Sequence, residues 1–186
     1  MILPIYLYGQ PVLRKETDDI EPDYPDLKKL VSDMFETMYH SDGVGLAAPQ
    51  VGLPISMFVI DGNVLAENFP ECKDLKMAVI NPELEVIDDV PLVGREEGCL
   101  SVPGLSENVK RHEHIRLNWL DEDFVEHEQE FSGFASRIIQ HEFDHLLGTI
   151  YTDRISPIRK QMIKSKLTNI AKGKVHCDYR TKAPVR

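Results

Sequence analysis

The fold is decided by His141-Glu142-Phe143-Asp144-His145, written HEFDH, in the last third of the chain. Residues four apart lie on one face of an α-helix, so the two imidazoles can reach the same metal ion. Glu142 follows the first histidine, where its carboxylate can act as general base for a metal-bound water. The alternative, a polar helix face with two unrelated histidines, would bury these side chains among apolar neighbours at high cost and without purpose.

A metal site on this helix needs a third protein ligand, and the known downstream spacings do not supply it. In the pattern HExxHxxGxxH the last position is Tyr151 here, and no glutamate follows Glu142. The downstream residues with ligand chemistry are Asp153, His176, Cys177 and Asp178.

Cys99 is a better candidate for the third ligand. It lies in Glu97-Gly98-Cys99-Leu100-Ser101, between a glycine and an apolar residue. A lone cysteine is more often a small buried hydrophobe, but beside an incomplete two-histidine site the metal ligand is favoured. A Cys/His/His set leaves one tetrahedral position for water, which is typical of a catalytic centre.

Three segments together carry a family resemblance. GVGLAAPQVG (43–52), EGCLS (97–101) and HEFDH (141–145) occur in this order. They resemble the signature motifs of peptide deformylases, which remove the N-formyl group from new bacterial proteins. The opening YGQPVLR (8–14) is also similar, so the resemblance covers residues 1 to about 155.

The resemblance implies a metal centre with a defined ion. Cys99, His141 and His145 would hold one Fe(II) per chain, and zinc, nickel or cobalt could replace it. A thiolate ligand tolerates iron as well as zinc.

It also implies roles in the reaction. The oxyanion would accept hydrogen bonds from the Gln50 side chain and the Leu100 backbone N–H. A neutral amide can donate to developing negative charge without competing for the metal. Glu142 would move a proton from the water to the leaving amine, and Gly45 would pair with the peptide backbone as an added strand does.

Family correspondence places an apolar slot for methionine beside the metal, lined by Val44, Gly45, Leu100, Phe134 and Ile138. Arg95 and Arg137 fall near this slot, with no direction indicated by the sequence. Three residues are expected to support the ligands from behind: Glu97, Arg111 and Asp144. For Glu97 and Arg111 a surface ion pair is an equal alternative.

The expected fold class is α+β, with antiparallel and mixed sheets around a central helix that carries HEFDH, plus an N-terminal and a C-terminal helix. Apolar periodicity predicts the first helix over 26–40, and Ser156, Pro157 and Gly173 are typical of the ends of the last one. Residues 62–76 read as a loop. Strands are predicted at 57–61, 77–80, 84–87, 115–119 and 125–131, the last two as a hairpin.

Composition indicates one globular domain in a reducing compartment. The chain has 186 residues, 42% hydrophobic and 28% charged, with three cysteines, which is too few for a disulfide framework. The apolar N-terminus lacks a basic flank and contains Pro4, which argues against a signal peptide. No stretch is long enough to span a membrane. We therefore expect a cytoplasmic protein with no membrane or DNA partner.

Charge is distributed unevenly. We expect residues 1–173 to form the catalytic domain and residues 174–186 a basic, flexible tail. Residues 154–186 carry ten Lys or Arg and one acid, a net +9, whereas the whole chain has −10. One set of side chains would pack the last helix on the body: Ile158, Met162, Ile163, Leu167 and Ile170. Another would remain in solvent: Arg159, Lys160, Lys164 and Lys166.

This basic helix has two interpretations. It can simply offset an acidic body, or it can dock on the ribosome, as the resemblance implies. Under the second interpretation, removing residues from Lys174 onward should weaken ribosome binding and spare activity on short peptides.

Two other functions compete with deformylation. A general endopeptidase would share HExxH but lacks both known third-ligand spacings here. A metal-storing module would keep Cys99, His141 and His145 without needing Glu142 or Gln50.

Overall fold

A computed structural model describes residues 1–184 of the chain. This part contains three helices and nine strands. The helices are α1 (Leu27–His40), α2 (Gly133–Leu146) and α3 (Pro157–Ala171). The strands are β1 (Ile5–Tyr6), β2 (Gly45–Ala47), β3 (Met57–Asp61), β4 (Lys76–Val86), β5 (Val93–Cys99), β6 (Val102–Arg111), β7 (His114–Leu120), β8 (Glu126–Ser132) and β9 (Thr181–Lys182).

The main sheet is antiparallel throughout. Its order is β2-β3-β4-β7-β8, which makes β2 an edge strand. The strands β5 and β6 form a separate antiparallel hairpin, while β1 and β9 pair in parallel. Helices packed with mainly antiparallel sheets confirm the predicted α+β class.

The helix α2 lies at the centre of this arrangement. Ten of its fourteen residues are buried, and Ala135, Ile138, Ile139 and Leu146 join the apolar core formed with the main sheet. Burial on so many sides fixes the rotation of the helix, so its polar residues can project only in set directions. The predicted central position of the HEFDH helix is confirmed.

The secondary structure differs from the prediction in several places, and the short strands β1, β2 and β9 were not predicted. The strand β4 is continuous over what the sequence suggested were two strands, with an irregular register between Ile80 and Glu83. Pro82 lies at this point and has no N–H for the ladder. The predicted loop 62–76 contains two 3-10 turns, Asn63–Leu65 and Pro70–Cys72, and the β5–β6 hairpin was not predicted.

The predicted packing face of α3 is wrong for two residues. Ile163 and Ile170 are buried and Leu167 packs beside them, but Ile158 is 75% exposed and Met162 62%. At about 100° per residue, Ile158 and Met162 lie on a separate face, about 130° around the helix from the other three. The five apolar residues therefore occupy two faces, and only one face meets the body.

Arg159 is exposed, as expected, with its side chain 47% accessible, but it also has an ion-pair partner that was not predicted. Its Nε and Nη2 donate to the Glu107 carboxylate at 2.9 and 2.8 Å, and the Glu107 side chain is only 5% exposed.

The C-terminal segment returns to the body instead of forming the expected flexible tail. The strand β9 pairs with β1, with Ile5 opposite Thr181 and Tyr6 opposite Lys182. Residues 174–184 are therefore folded with the domain that was expected to end at 173, while residues 185–186 lie outside the described part. Within the described part, no helix has the length and apolar character needed to cross a bilayer.

Candidate metal centre and substrate cleft

The structure brings the three predicted metal ligands together. Cys99 ends β5, where the hairpin register changes, and His141 and His145 project from α2. One ligand atom from each residue lies within 4.8 Å of the other two. Cys99, which lies 42 residues before His141 in the sequence, therefore reaches both histidines.

The donor set fits a tetrahedral metal ion. Cys99 Sγ and His145 Nε2 are 3.5 Å apart. Bond lengths of about 2.3 Å to sulfur and about 2.0 Å to nitrogen, at a tetrahedral angle, give a separation of about 3.5 Å. Burial lowers the pKa of His145 and so favours the neutral imidazole that binds metal. These three residues could thus hold one ion and leave a coordination position open.

Glu97 supports the ligands from behind. Its Oε1 accepts from His141 Nδ1 at 2.8 Å, which leaves Nε2 as the available ligand atom of His141. Arg111 donates to both oxygens of Glu97, at 2.7 and 2.8 Å. Burial raises the pKa of Glu97, but hydrogen bonds from Arg111 and His141 outweigh it and bring the pKa to about 2. Glu97 therefore remains a carboxylate that can orient the imidazole.

A chain of charges continues from Glu97 to the surface. Arg111 also donates to Asp144 at 2.8 Å, and Arg154 donates to both Asp144 oxygens at 2.6 Å. The side chains of Glu97, Arg111 and Asp144 are at most 5% exposed, so the alternative of a surface ion pair does not fit. Buried charges with this many partners can specify the geometry around the ligands.

Arg95 and Arg137, whose orientation the sequence did not indicate, lie in different places. Arg137 is buried and donates to Glu97 at 2.6 Å and to the carbonyls of Val93 and Val109. Arg95 is exposed and lies over the ring of Phe69. The sequence did not indicate that Arg137 pairs with Glu97. The available signal was that an arginine on a buried helix needs an acidic partner.

Glu142 follows His141 on α2 and lines the same open space as Cys99 and His141. It is 4% exposed, and its Oε2 is buried without a hydrogen-bond partner among the described residues. Burial raises its pKa to about 7. Gly45 faces this carboxylate, and a Cβ added at Gly45 would overlap it. Such a carboxyl group can take and return a proton near neutral pH.

Gln50 lies beside Cys99 in space, and Leu100 follows Cys99 in the chain. Gln50 follows β2 in a 3-10 turn (Ala48–Val51), and its Oε1 accepts from the Ala47 N–H at 2.9 Å. This bond directs Nε2 toward Cys99 Sγ, at 3.3 Å, and Ser101 Oγ, at 3.2 Å. The Gln50 amide is therefore a fixed donor beside the ligand group.

A cleft of about 600 Å³ opens in front of these residues. All five residues predicted for the methionine slot line it: Val44, Gly45, Leu100, Phe134 and Ile138. Four further lining residues, His176 to Tyr179, come from the C-terminal segment and were not predicted. No motif marks them, since only the β1–β9 pairing brings them to the cleft.

Comparisons with known proteins agree with this geometry. A family model described as polypeptide deformylase matches residues 2–161. The peptide deformylases of Christiangramia forsetii and Cytophaga hutchinsonii are each 45% identical, over 99% and 100% of this chain and 97% and 100% of theirs. The crystal structure of the Thermus thermophilus peptide deformylase has a TM-score of 0.81 at 36% identity, covering 94% of this chain and all of that one. For the Thermotoga maritima enzyme the TM-score is 0.76 at 41% identity, covering 84% of this chain and 99% of that one.

Proposed function

Because this chain belongs to the polypeptide deformylase family, we propose that it hydrolyses the N-terminal formyl group of formyl-methionine on newly synthesised proteins. The observation that carries the proposal is the meeting of Cys99, His141 and His145 beside the unpaired Glu142 carboxylate, in a cleft with an apolar end. A protein that only stored metal would not need that carboxylate.

The proposed ion is one Fe(II) per chain, with zinc, nickel or cobalt as substitutes. The residues that would hold it are Cys99, His141 and His145. When bound, such an ion lowers the pKa of a coordinated water and polarises the substrate carbonyl.

Glu142 is the proposed proton carrier. It takes a proton from the attacking water as the water oxygen bonds to the formyl carbon. The carbon–nitrogen bond then breaks, and Glu142 returns the proton to the amine nitrogen, which leaves as the free N-terminus while formate is released. Its raised pKa, about 7, suits both transfers.

Two donors are proposed for the oxyanion, the Gln50 side chain and the Leu100 backbone N–H. Gln50 is 2% exposed and is held by Ala47 and Ser101, so it needs little reorganisation when charge develops. Pre-positioned donors of this kind typically contribute about 10²–10³ in rate each.

The substrate backbone is proposed to pair with β2. Because β2 is the edge of the main sheet, its outer hydrogen-bonding groups can receive an extended peptide. Gly45 opens this strand, and the lack of a side chain there leaves room for Glu142. The methionine side chain would then enter the slot between Val44, Leu100 and Ile138.

A peptide assay tests the function against both alternatives. Purified without oxygen, the protein should release formate from formyl-Met-Ala-Ser and leave an unformylated internal peptide uncut. Cleavage of the internal peptide would indicate an endopeptidase instead. Bound metal without hydrolysis of either peptide would indicate a storage module.

The proposed setting is the cytoplasm, where formylated chains emerge from ribosomes. The exposed side of α3 carries Lys160, Lys164 and Lys166, with Ile158 and Met162 beside them. This basic and apolar face is the surface we propose for ribosome contact, and its binding should weaken with salt.

A further inference from the structure

The residues 174–184, here called the return segment, connect the end of α3 to the substrate cleft. Backbone bonds from Ile5 N–H to the Arg180 carbonyl and from Leu7 N–H to the Lys182 carbonyl, at 2.9 and 3.0 Å, attach the segment to β1. The Gln10 side chain also donates to the Lys182 carbonyl. This attachment determines where the preceding residues, 176–179, meet the cleft.

Among the described hydrogen bonds, one joins a side chain of the return segment to the EGCLS motif, and it is made by Tyr179. Its hydroxyl donates to the Leu100 carbonyl at 2.7 Å, across 79 residues of sequence. The ring packs against the apolar cluster that includes α1 and Leu100. A hydroxyl on a packed ring has little freedom, so it can fix the orientation of the peptide that it binds.

The corner 99–101 is held from three directions. The Gln50 amide donates to Ser101 Oγ, the Tyr8 N–H donates to the Ser101 carbonyl at 2.8 Å, and Tyr179 holds the Leu100 carbonyl. Without the third contact, the Leu100 carbonyl could rotate about the adjoining backbone bonds. Such rotation would release Leu100 from its C-terminal side, so that its N–H and the side chain that lines the methionine slot could shift.

We propose that Tyr179 is a positioning residue, which orients Leu100 for oxyanion binding by holding its carbonyl. The proposal rests on the function proposed above, because it requires the Leu100 N–H to meet the substrate. Tyr179 lies beyond residue 161, where the match to the family model ends. This enzyme thus completes a family site with a residue from outside the matched region.

The kinetic consequence follows from the role of Leu100. If its N–H binds charge that develops only in the transition state, its misplacement lowers kcat and leaves KM nearly unchanged. A purely structural role for Tyr179 would instead lower stability without changing kcat.

Two variants that each remove one tyrosine hydroxyl, one in the return segment and one in β1, distinguish a positioning role from a purely structural one. Tyr179→Phe removes the bond to Leu100 and keeps the ring. Tyr6→Phe removes the hydroxyl that accepts from Lys182 Nζ at 3.2 Å, away from the cleft, and is the matched control. For Tyr179→Phe we expect kcat on formyl-Met-Ala-Ser to fall about 3- to 10-fold, the usual scale of one hydrogen bond, with KM within about twofold. For Tyr6→Phe we expect wild-type kinetics.

Amide hydrogen exchange provides a readout that does not depend on activity. The Leu100 and Ser101 amides should exchange faster in Tyr179→Phe than in wild type or Tyr6→Phe. Equal exchange and equal kcat in all three proteins would overturn the proposal. If wild type itself fails to release formate, the proposed function fails, and the exchange experiment still decides whether Tyr179 orders Leu100.

Discussion

The helices α2 and α3 have nearly the same length, fourteen and fifteen residues, but opposite environments. Ten residues of α2 are buried, whereas only Ile163 and Ile170 of α3 are. Both helices carry charged side chains. In α2 Asp144 and Arg137 pair with oppositely charged groups inside the protein, and in α3 several lysines remain in solvent.

The difference teaches how charge should be interpreted in this chain. A buried charge needs partners, and those partners hold it in one geometry, which is what a catalytic site requires. An exposed charge interacts weakly with its neighbours and remains available to a binding partner. Substitutions in α2 should therefore affect chemistry and stability, and those in α3 should affect association.

The largest expected effect comes from α2 itself. Glu142→Gln keeps the shape of the side chain but removes the proposed proton carrier, so kcat/KM on formyl-Met-Ala-Ser should fall by about 10²–10⁴ or more. The metal content should remain close to that of wild type, because the ligand set is intact.

Cys99→Ala is the control that separates base from ligand. It should lose metal, as measured by elemental analysis of protein purified without oxygen, and lose activity for that reason. A Glu142→Gln protein with near-normal turnover would mean that α2 is not the catalytic element, and undiminished metal in Cys99→Ala would exclude Cys99 as a ligand.

The second prediction compares stability in the two helices. Asp144→Asn leaves Arg111 and Arg154 without a carboxylate partner at that position, and breaking a buried pair typically costs about 3 kcal/mol of unfolding free energy. Lys164→Gln, on the exposed side of α3, should change the unfolding free energy by less than about 0.5 kcal/mol. Urea denaturation of both metal-free proteins measures the difference. Equal losses would show that burial does not distinguish the helices.

The sequence predicted which residues meet around Cys99 better than it predicted the contacts of Arg137 and Tyr179. HEFDH, Cys99 and Gln50 could be placed because their spacing and chemistry are local or match family motifs. The positions of Arg137 and Tyr179 could not be predicted, because they depend on contacts made across 40 and 79 residues. A pairing such as that of β1 with β9, two residues in each strand, leaves no periodic signal.

The same limit explains the errors in α3. Apolar spacing alone did not show that Ile158 and Met162 lie on a different face from Ile163, and charge alone did not show that Arg159 meets Glu107. The structure also changes one expectation. Removal of residues from Lys174 onward was expected to spare activity, but it would also remove Tyr179 and its bond to Leu100, so we now expect a loss of turnover.

The smallest effect on the isolated enzyme is expected from the exposed side of α3. Replacing Lys160, Lys164 and Lys166 with glutamine removes three solvent-exposed positive charges and no described ion pair. Turnover of a short formyl-peptide should be unchanged. If this face docks on ribosomes, cosedimentation with bacterial ribosomes should become much weaker, and the salt dependence of the remaining binding should be less steep because fewer charges take part.

Arg159→Gln is the matched control for the triple variant. Because Arg159 is paired with the buried Glu107, this change should lower stability, while its effect on ribosome binding should be smaller than that of the three lysines together. A triple variant that pellets with ribosomes at the wild-type salt midpoint would leave α3 with a packing role alone. If Arg159→Gln loses ribosome binding and the triple variant keeps it, the contact lies near Glu107. The paired charge of the helix, and not its solvated lysines, would then be the one that binds.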